Sequence, residues 1–360
     1  MNVLIFSRIL EKTGVGNYIK QLSEQLNNEG HKVIVVSNTK KQDIADGGGF
    51  IKIPAASNNP LKIISCVKKL REIIKKNNID VVHCHHRKAA LIMRIYNIFF
   101  SVPVVYTLHL ANIPSDFIHR KMTFVGNKAI AISNEVREFL ITKIKIPAKK
   151  IATVYNGVKV IERLSDDEII EIKKEWNIPD GKYVIVMHSR IDKVKNQIIV
   201  VEAINELPDS IKQQIIVVCS GEKTGQYYDE LVDKINAYGL QKNFVFVGWV
   251  SAEKIFSVAD FMFLPSTNEG FALSVAEAFM MRVPVARTKT AGYEEQKYCL
   301  PIKADSTLEI KEILCDLCVN GKDQYKEIID KAYELAMKEF TIEVMTKRNI
   351  DVYKEVSGKK

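Results

Sequence analysis

A secretory leader is not expected: MNVLIFSRIL has no basic opening segment, and its apolar run is too short for a leader core. The sequence also lacks an unbroken apolar stretch of membrane-spanning length. The longest candidate, AALIMRIYNIFFSVPVVY at 89–106, is interrupted by Arg94, Asn97 and Pro103. Its Val-Pro-Val-Val-Tyr end reads as a strand, so a helix followed by a core strand is expected there. Cysteine is sparse and scattered (Cys66, Cys84, Cys219, Cys299, Cys315 and Cys318), and the lone CxxC has no second pair and no nearby histidine. Buried thiols are therefore expected rather than zinc ligands, and reduced cysteines point to a cytoplasmic protein. There is no short-period repeat, no low-complexity tract and no recognised nucleic-acid motif.

What is present is ordinary in bulk and uneven in detail. Of 360 residues, 47% are apolar and 26% charged, which suits a globular protein of two or three domains. Residues 1–164 hold 26 Lys and Arg against 11 Asp and Glu, a surplus of +15, whereas the remainder holds 26 against 32, or −6. A basic first half predicts an anionic partner. With no nucleic-acid motif, an anionic membrane surface is preferred. The stretch LKIISCVKKLREIIKK places Ile63, Ile64, Val67, Leu70, Ile73 and Ile74 on one side of a helix and Lys68, Lys69, Arg71, Lys75 and Lys76 on the other. It reads either as a core-facing helix with a solvated basic face or as a membrane-surface helix.

Apolar β-rich runs alternate with amphipathic helices. Strands are expected at 2–6, 32–37, 80–85, 102–109, 128–133 and 151–157, with helices at 16–28 and 61–76. After a polar connector the pattern restarts, with strands at 183–189, 215–220, 243–249, 260–266 and 283–287, helices at 195–206 and 225–238, then helices across 306–337 and 341–355. Strands apolar throughout and separated by helices imply parallel sheets covered on both faces. The predicted class is α/β, with two doubly wound Rossmann-like domains facing across a cleft. The expected domains are residues 1–160 and 161–338, with a last helix in 339–360 crossing back to the first.

Such sheets bind ligands beyond the carboxyl ends of their strands. The polar residues there are Gly14 and Gly16, His83-Cys84-His85-His86 and His109 in the first half. In the second half they are His188-Ser189-Arg190, Gly221-Glu222, Gly248-Trp249 and Ser266 to Gly270. Arg190 and Lys195 are close enough in sequence to reach one anion, with Lys193 as the solvated alternative. Gly270-Phe271-Ala272-Leu273-Ser274 opens a helix whose free amides suit a phosphate. That helix is apolar on all sides except for Glu277, and no cation follows until Arg282. A buried carboxylate needs a partner, so a ligand diol is expected to supply one. Glu269 and Glu277, two turns apart, would flank the amides, as a nucleotide-sugar pocket requires. For the histidines at 83, 85 and 86, with no carboxylate among them, packing or acceptor contact is favoured over a metal site.

These pieces together resemble the retaining GT-B glycosyltransferases of family 4, the "group 1" glycosyl transferases. The resemblance is carried by Glu-x7-Glu in EGFALSVAEA after DFMFLPS, by PVART…AG, HSRIDKVKN, VFVGWV, DVVHCH and VYNGV, and by TGVGNYIKQLSEQLNNEGHKVIVVS. It implies that Arg190 and Lys195 neutralise a departing diphosphate without a metal, and that Glu277 holds the ribose. It further implies that Glu269 and the amides near Phe271 and Ala272 position the donor sugar, that Trp249 borders the base, that Gly16 lets its loop approach, and that His109 faces the anomeric carbon. The sequence departs from the family at Thr13, His188-Ser189, Gly221-Glu222 and Ala291-Gly292. The expected reaction is sugar transfer with retention from a nucleotide-diphosphate donor, UDP favoured over GDP, to a glycan or lipid-linked acceptor, in cell-surface polysaccharide or glycolipid assembly. No cofactor beyond the donor is expected. A sugar-nucleotide epimerase of the same shape and a non-catalytic nucleotide-sugar-binding regulator stay open as alternatives.

Overall fold

The computed structural model describes residues 1–10, 14–39, 49–111 and 113–359; Thr13 lies outside them. The chain divides into two compact units, residues 1–159 with 339–360, and residues 160–338.

The first unit is built on seven parallel strands: β1 (Asn2–Phe6), β2 (Lys32–Ser37), β3 (Gly49–Lys52), β4 (Val81–Cys84), β5 (Val104–Leu108), β6 (Lys128–Ala131) and β7 (Ile151–Thr153). Their order across the sheet is β3-β2-β1-β4-β5-β6-β7. The central strands are buried on both faces, which is why they carry Val, Ile and Leu without alternation. Helix Gly14–Asn28 lays Tyr18, Ile19, Leu22 and Leu26 on this core. Helix Ile342–Ser357 joins the same cluster through Met345, Ile350 and Tyr353. Its start is capped by Thr341 Oγ1, which accepts from Val344 N at 3.3 Å. The two crossings of the chain lie side by side there, with Val158 N donating to Phe340 O and Ile342 N donating to Val158 O, both at 2.9 Å.

The second unit repeats the pattern with six parallel strands: β8 (Tyr183–His188), β9 (Ile215–Ser220), β10 (Phe244–Gly248), β11 (Phe261–Leu264), β12 (Val285–Thr288) and β13 (Leu300–Ile302). The order is β10-β9-β8-β11-β12-β13. Each sheet therefore has one place where neighbouring strands lead their connections apart, between β1 and β4 and between β8 and β11. Crevices form at the carboxyl ends of such pairs.

Several expectations need correction. Strands β3 and β13 were not read from the sequence. Both are edge strands, one with only two apolar residues and the other three residues long with Pro301 inside, where an edge tolerates the missing donor. The 89–106 run, in contrast, is as expected a helix, Arg87–Phe99, followed by β5, and among the described residues no helix is long and apolar enough to cross a membrane. Helix Pro60–Lys76 buries Val67, Leu70, Ile73 and Ile74 as expected, but Ile64 joins Leu61, one turn earlier, on the exposed side. Helix Gly14–Asn28 begins two residues earlier than expected, so Gly14 joins Gly16 in its first turn. The opposite shift holds for Gly270, Phe271 and Ala272. They precede a helix that begins at Leu273, with Ala272 extended at its cap.

Gly157 sits where the two crossings meet. A Cβ there would lie 2.3 Å from Thr341 O and 2.9 Å from Ile342 Cα, both backbone atoms that cannot swing aside. Gly157→Ala is expected to lower the unfolding free energy by about 1–3 kcal/mol in a urea titration. Gly49→Ala, whose Cβ would meet Ile34 at an ordinary 3.9 Å, should change it by no more than about 0.5 kcal/mol.

Candidate active site

In the second unit the loops leaving β8 and β11 are joined by one short ion pair. Lys195 Nζ lies 2.6 Å from Glu269 Oε1, and these side chains are only 17% and 9% exposed. The lysine is presented by a tight loop in which Asp192 Oδ1 accepts from Val194 N and Lys195 N at 3.1 and 3.0 Å. Asn196, in the left-handed region at φ 56°, ties the loop to Ala304 O at 2.7 Å. Thr267 N donates to Val194 O at 2.8 Å, so the β8 and β11 loops are also bonded through backbone. Arg190 turns outward: it is 54% exposed and pairs with Asp192 Oδ2 at 2.9 Å. The two cations thus hold different carboxylates. Lys193 is exposed.

Glu277 is in a different condition. Its side chain is 20% exposed, and its nearest basic group is His188 Nε2 at 3.9 Å. That distance is too long for a hydrogen bond. Burial also holds the His188 imidazole down to about 4, while burial pushes the Glu277 carboxyl up to about 7. The imidazole is therefore neutral wherever the carboxylate forms, and the two are not an ion pair. His188 Nδ1 is taken by Ser220 Oγ at 3.1 Å. Arg282, the nearest cation in sequence, pairs instead with Asp330 at 2.5 Å. Among the described residues, Glu277 has no counter-charge.

Between Glu269 and Glu277 run Gly270, Phe271 and Ala272, all buried, then Leu273 and Ser274, which are half-buried in the first turn of helix Leu273–Met280. No side chain caps that helix, so its first amides are left for another acceptor. Gly292 lets a neighbouring loop close on this segment: at φ 80° its Cα carries no Cβ that would press within 3.0 Å of Phe271 Cα. Gly221 is needed for contact too, since a Cβ would come within 2.5 Å of Ser189 O. Trp249, just beyond β10, is half exposed.

In the first unit the carboxyl ends of β4 and β5 carry a stack of imidazoles. His83 is fully buried and bonded on both nitrogens, to Tyr353 Oη and Thr107 Oγ1, each at 2.7 Å. His85 Nδ1 meets His109 Nε2 at 3.1 Å, and Tyr18 lies edge-on to His109 with ring centroids 5.1 Å apart. His86 Nδ1 reaches Ser7 Oγ at 2.8 Å, bridging the ends of β1 and β4. Burial holds His83 and His109 down to about 3, so the stack is neutral. Among the described residues no group of His, Cys, Asp and Glu is arranged to hold a metal ion.

The structure therefore brings Lys195, Glu269, Gly270 to Ser274 and Glu277 together around one helix start, and places Gly14, Gly16 and His109 in the first unit. His85, for which packing or acceptor contact was expected, is buried and packs within the cluster, bonded to His109. Sequence reading missed Gln296 and Arg287, whose bonds appear only once the fold brings distant segments together.

The family model for Glycosyltransferase Family 4 matches residues 12–161, and that for Glycosyl transferases group 1 matches residues 168–297. An uncharacterized glycosyltransferase of Methanocaldococcus jannaschii is 23% identical over 309 residues, 78% of each chain. The alpha-monoglucosyldiacylglycerol synthase of Streptococcus pneumoniae is 23% identical over 303 residues, 76% of this chain and 67% of its own. An Escherichia coli UDP-Gal:alpha-D-GlcNAc-diphosphoundecaprenol alpha-1,3-galactosyltransferase is 25% identical over 245 residues, 62% and 61%. Among solved structures, a Rickettsia africae glycosyltransferase superposes with a TM-score of 0.86 at 21% identity, covering 98% of both chains. An Anabaena protein, HepE, solved with UDP, gives 0.83 at 18% identity over 99% and 100%. These likenesses make the fold GT-B.

The isolation of Glu277 has a pH signature. The unfolded chain releases this proton near 4.5, whereas the folded chain keeps it to about 7. Folded protein thus binds more protons in that window, and stability falls as pH rises through it. Glu277→Gln should remove this loss. Urea titrations are expected to show the variant gaining on the unaltered protein by about 1–3 kcal/mol between pH 5 and pH 8.

Proposed function

Because the chain belongs to glycosyltransferase family 4, and is itself a GT-B glycosyltransferase, we propose that it moves a sugar from a nucleoside-diphosphate donor to an acceptor hydroxyl with retention at the anomeric carbon. The observation that carries this reading is Glu277, a carboxylate without counter-charge beside an uncapped helix start. A ribose diol would donate to that carboxylate, and the free amides together with Lys195 and Arg190 would take the diphosphate. Glu269, fixed by Lys195, would position the transferred sugar. Stabilising the departing phosphate's charge is the main catalytic term, carried by these side chains rather than by a metal ion. His109, at the carboxyl end of β5, is proposed to serve the transfer itself. Front-face attack and a short-lived ion pair are both compatible with retention. UDP is the favoured nucleotide, in keeping with the HepE complex.

Lys195→Ala should cut turnover of the active donor by about a hundredfold or more, while exposed Lys193→Ala changes it little. Equal effects would place the phosphate elsewhere. A thermal-shift panel of UDP- and GDP-sugars identifies the donor by mass action, and proton NMR of the product reads the anomer.

The acceptor is proposed to be lipid-linked or membrane-proximal, in polysaccharide or glycolipid assembly at the inner face of the membrane; diacylglycerol and diphosphoundecaprenol appear in the names of two relatives. The first unit's surface supports this. Leu61, Ile64, Ile98, Phe99, Phe117 and Ile118 are all exposed. Basic side chains tie their helices together: the Arg71 guanidinium lies 4.4 Å from the Phe100 ring centroid, and Arg94 Nη1 donates to Lys121 O at 2.6 Å. Apolar residues set among cations suit an anionic bilayer surface. The protein should float with vesicles containing phosphatidylglycerol and not with neutral ones, and Phe117→Ser with Ile118→Ser should abolish flotation. Equal flotation with both lipids, or none, would remove the membrane from this reading.

A further inference from the structure

His188, the last residue of β8, faces Glu277 across a gap of 3.9 Å between Nε2 and Oε2. Its imidazole is held from two other sides. Ser220, its register partner on β9, places Oγ 3.1 Å from Nδ1. The Phe256 ring stands at 79° to the imidazole with centroids 5.5 Å apart. Ser220 and Phe256 are both buried, so the ring is fixed with Nε2 toward the carboxylate. Among the described residues, His188 Nε2 and the Glu277 oxygens have no hydrogen-bond partner. Both side chains keep some exposure, 12% and 20%, and stay within reach of a ligand.

Two unpartnered polar atoms facing each other just beyond bonding distance define a place for a third. One oxygen about 2.8 Å from each would span the gap. The groups on either side fix what that oxygen is. A carboxylate only accepts, so the oxygen must bring a hydrogen to Glu277. Burial keeps the imidazole neutral, with a single N–H. With Ser220 Oγ–H donating to Nδ1, that N–H sits on Nε2 and donates to a lone pair of the same oxygen. Each group in the chain from Ser220 to Glu277 is then satisfied. A hydroxyl meets both demands, whereas an ether or carbonyl oxygen has no hydrogen to give. We infer that His188 is a ribose-binding residue, donating from Nε2 to the diol hydroxyl that in turn donates to Glu277, so that the site selects a ribonucleotide. This rests on the donor reading above, in which Glu277 holds the ribose. His188 itself lies where the sequence departs from the family pattern, so the role of Glu277 does not carry it along.

Calorimetric titrations of the full chain with UDP, 2′-deoxy-UDP and 3′-deoxy-UDP test this. His188→Leu should weaken UDP by about tenfold, yet leave one of the two deoxy analogues within about twofold of its affinity for the unaltered protein. His188→Gln, which keeps an N–H donor, should bind UDP within about threefold of the unaltered protein. Nitrogen NMR of histidine-labelled protein needs no stable His188→Leu. UDP should shift the His188 Nε2 resonance, identified by its loss in His188→Gln, and the analogue lacking the bonded hydroxyl should not. Three results would each overturn the inference: unchanged UDP affinity in His188→Leu, equal losses for UDP and both analogues, or a His188 signal that responds alike to all three ligands. The donor reading survives any of them provided Glu277→Ala weakens UDP. An unaltered protein that binds no UDP overturns both.

Discussion

A single contact of 2.6 Å, Lys195 to Glu269, sets the geometry of the second unit's candidate site. Parallel strands diverge at the β8–β11 boundary, and the loops that leave them have no ladder to hold them together. The ion pair does this, aided by the backbone bond from Thr267 to Val194. With both partners nearly buried, the pair is stable only if its geometry stays fixed. Everything downstream in the chain inherits that position: the extended Gly270–Ala272 segment, the uncapped helix start, and Glu277 one turn further on. A ligand entering there meets donors already aimed and a carboxylate already desolvated, so little reorganisation is left for binding.

The first unit solves a related problem without charge. Its imidazoles are kept neutral by burial and ordered by hydroxyls, with Thr107 and Tyr353 on His83 and Ser7 on His86. A neutral stack avoids the self-repulsion that four imidazolium ions would suffer, and His109 can accept or donate according to the proton on His85. Basic charge is exposed on helix Pro60–Lys76 instead, where Lys68, Lys69, Arg71, Lys75 and Lys76 face solvent.

Much of this was legible in the sequence because the signals are local. Strands such as KVIVVS and IIVVCS are apolar from end to end and have their read bounds, and the helix around Glu277 declared its oddity by composition alone. What escaped was written in few residues or in distant ones. GFIK and LPI carry too little hydrophobic signal to read as strands, since edge strands need none. Ile64 looked like core because helical periodicity cannot say which elements cover a face. The pairing of Lys195 with Glu269 spans 74 residues, and Gln296, which accepts from Arg287, donates in turn to Ala272 O, 24 residues away. Neither has a spacing that announces it. The histidine cluster could be placed at a strand end, but its wiring required Tyr353, from the opposite end of the chain.

That last dependence reaches into biosynthesis. The first unit begins to emerge from the ribosome before the second, yet Tyr18 and His83 wait for Asn349 and Tyr353 to be bonded. The middle of the chain can complete its own core while the opening segment still exposes an apolar groove along helix Gly14–Asn28. The half synthesised first is thus finished last, its core closed only when helix Ile342–Ser357 arrives.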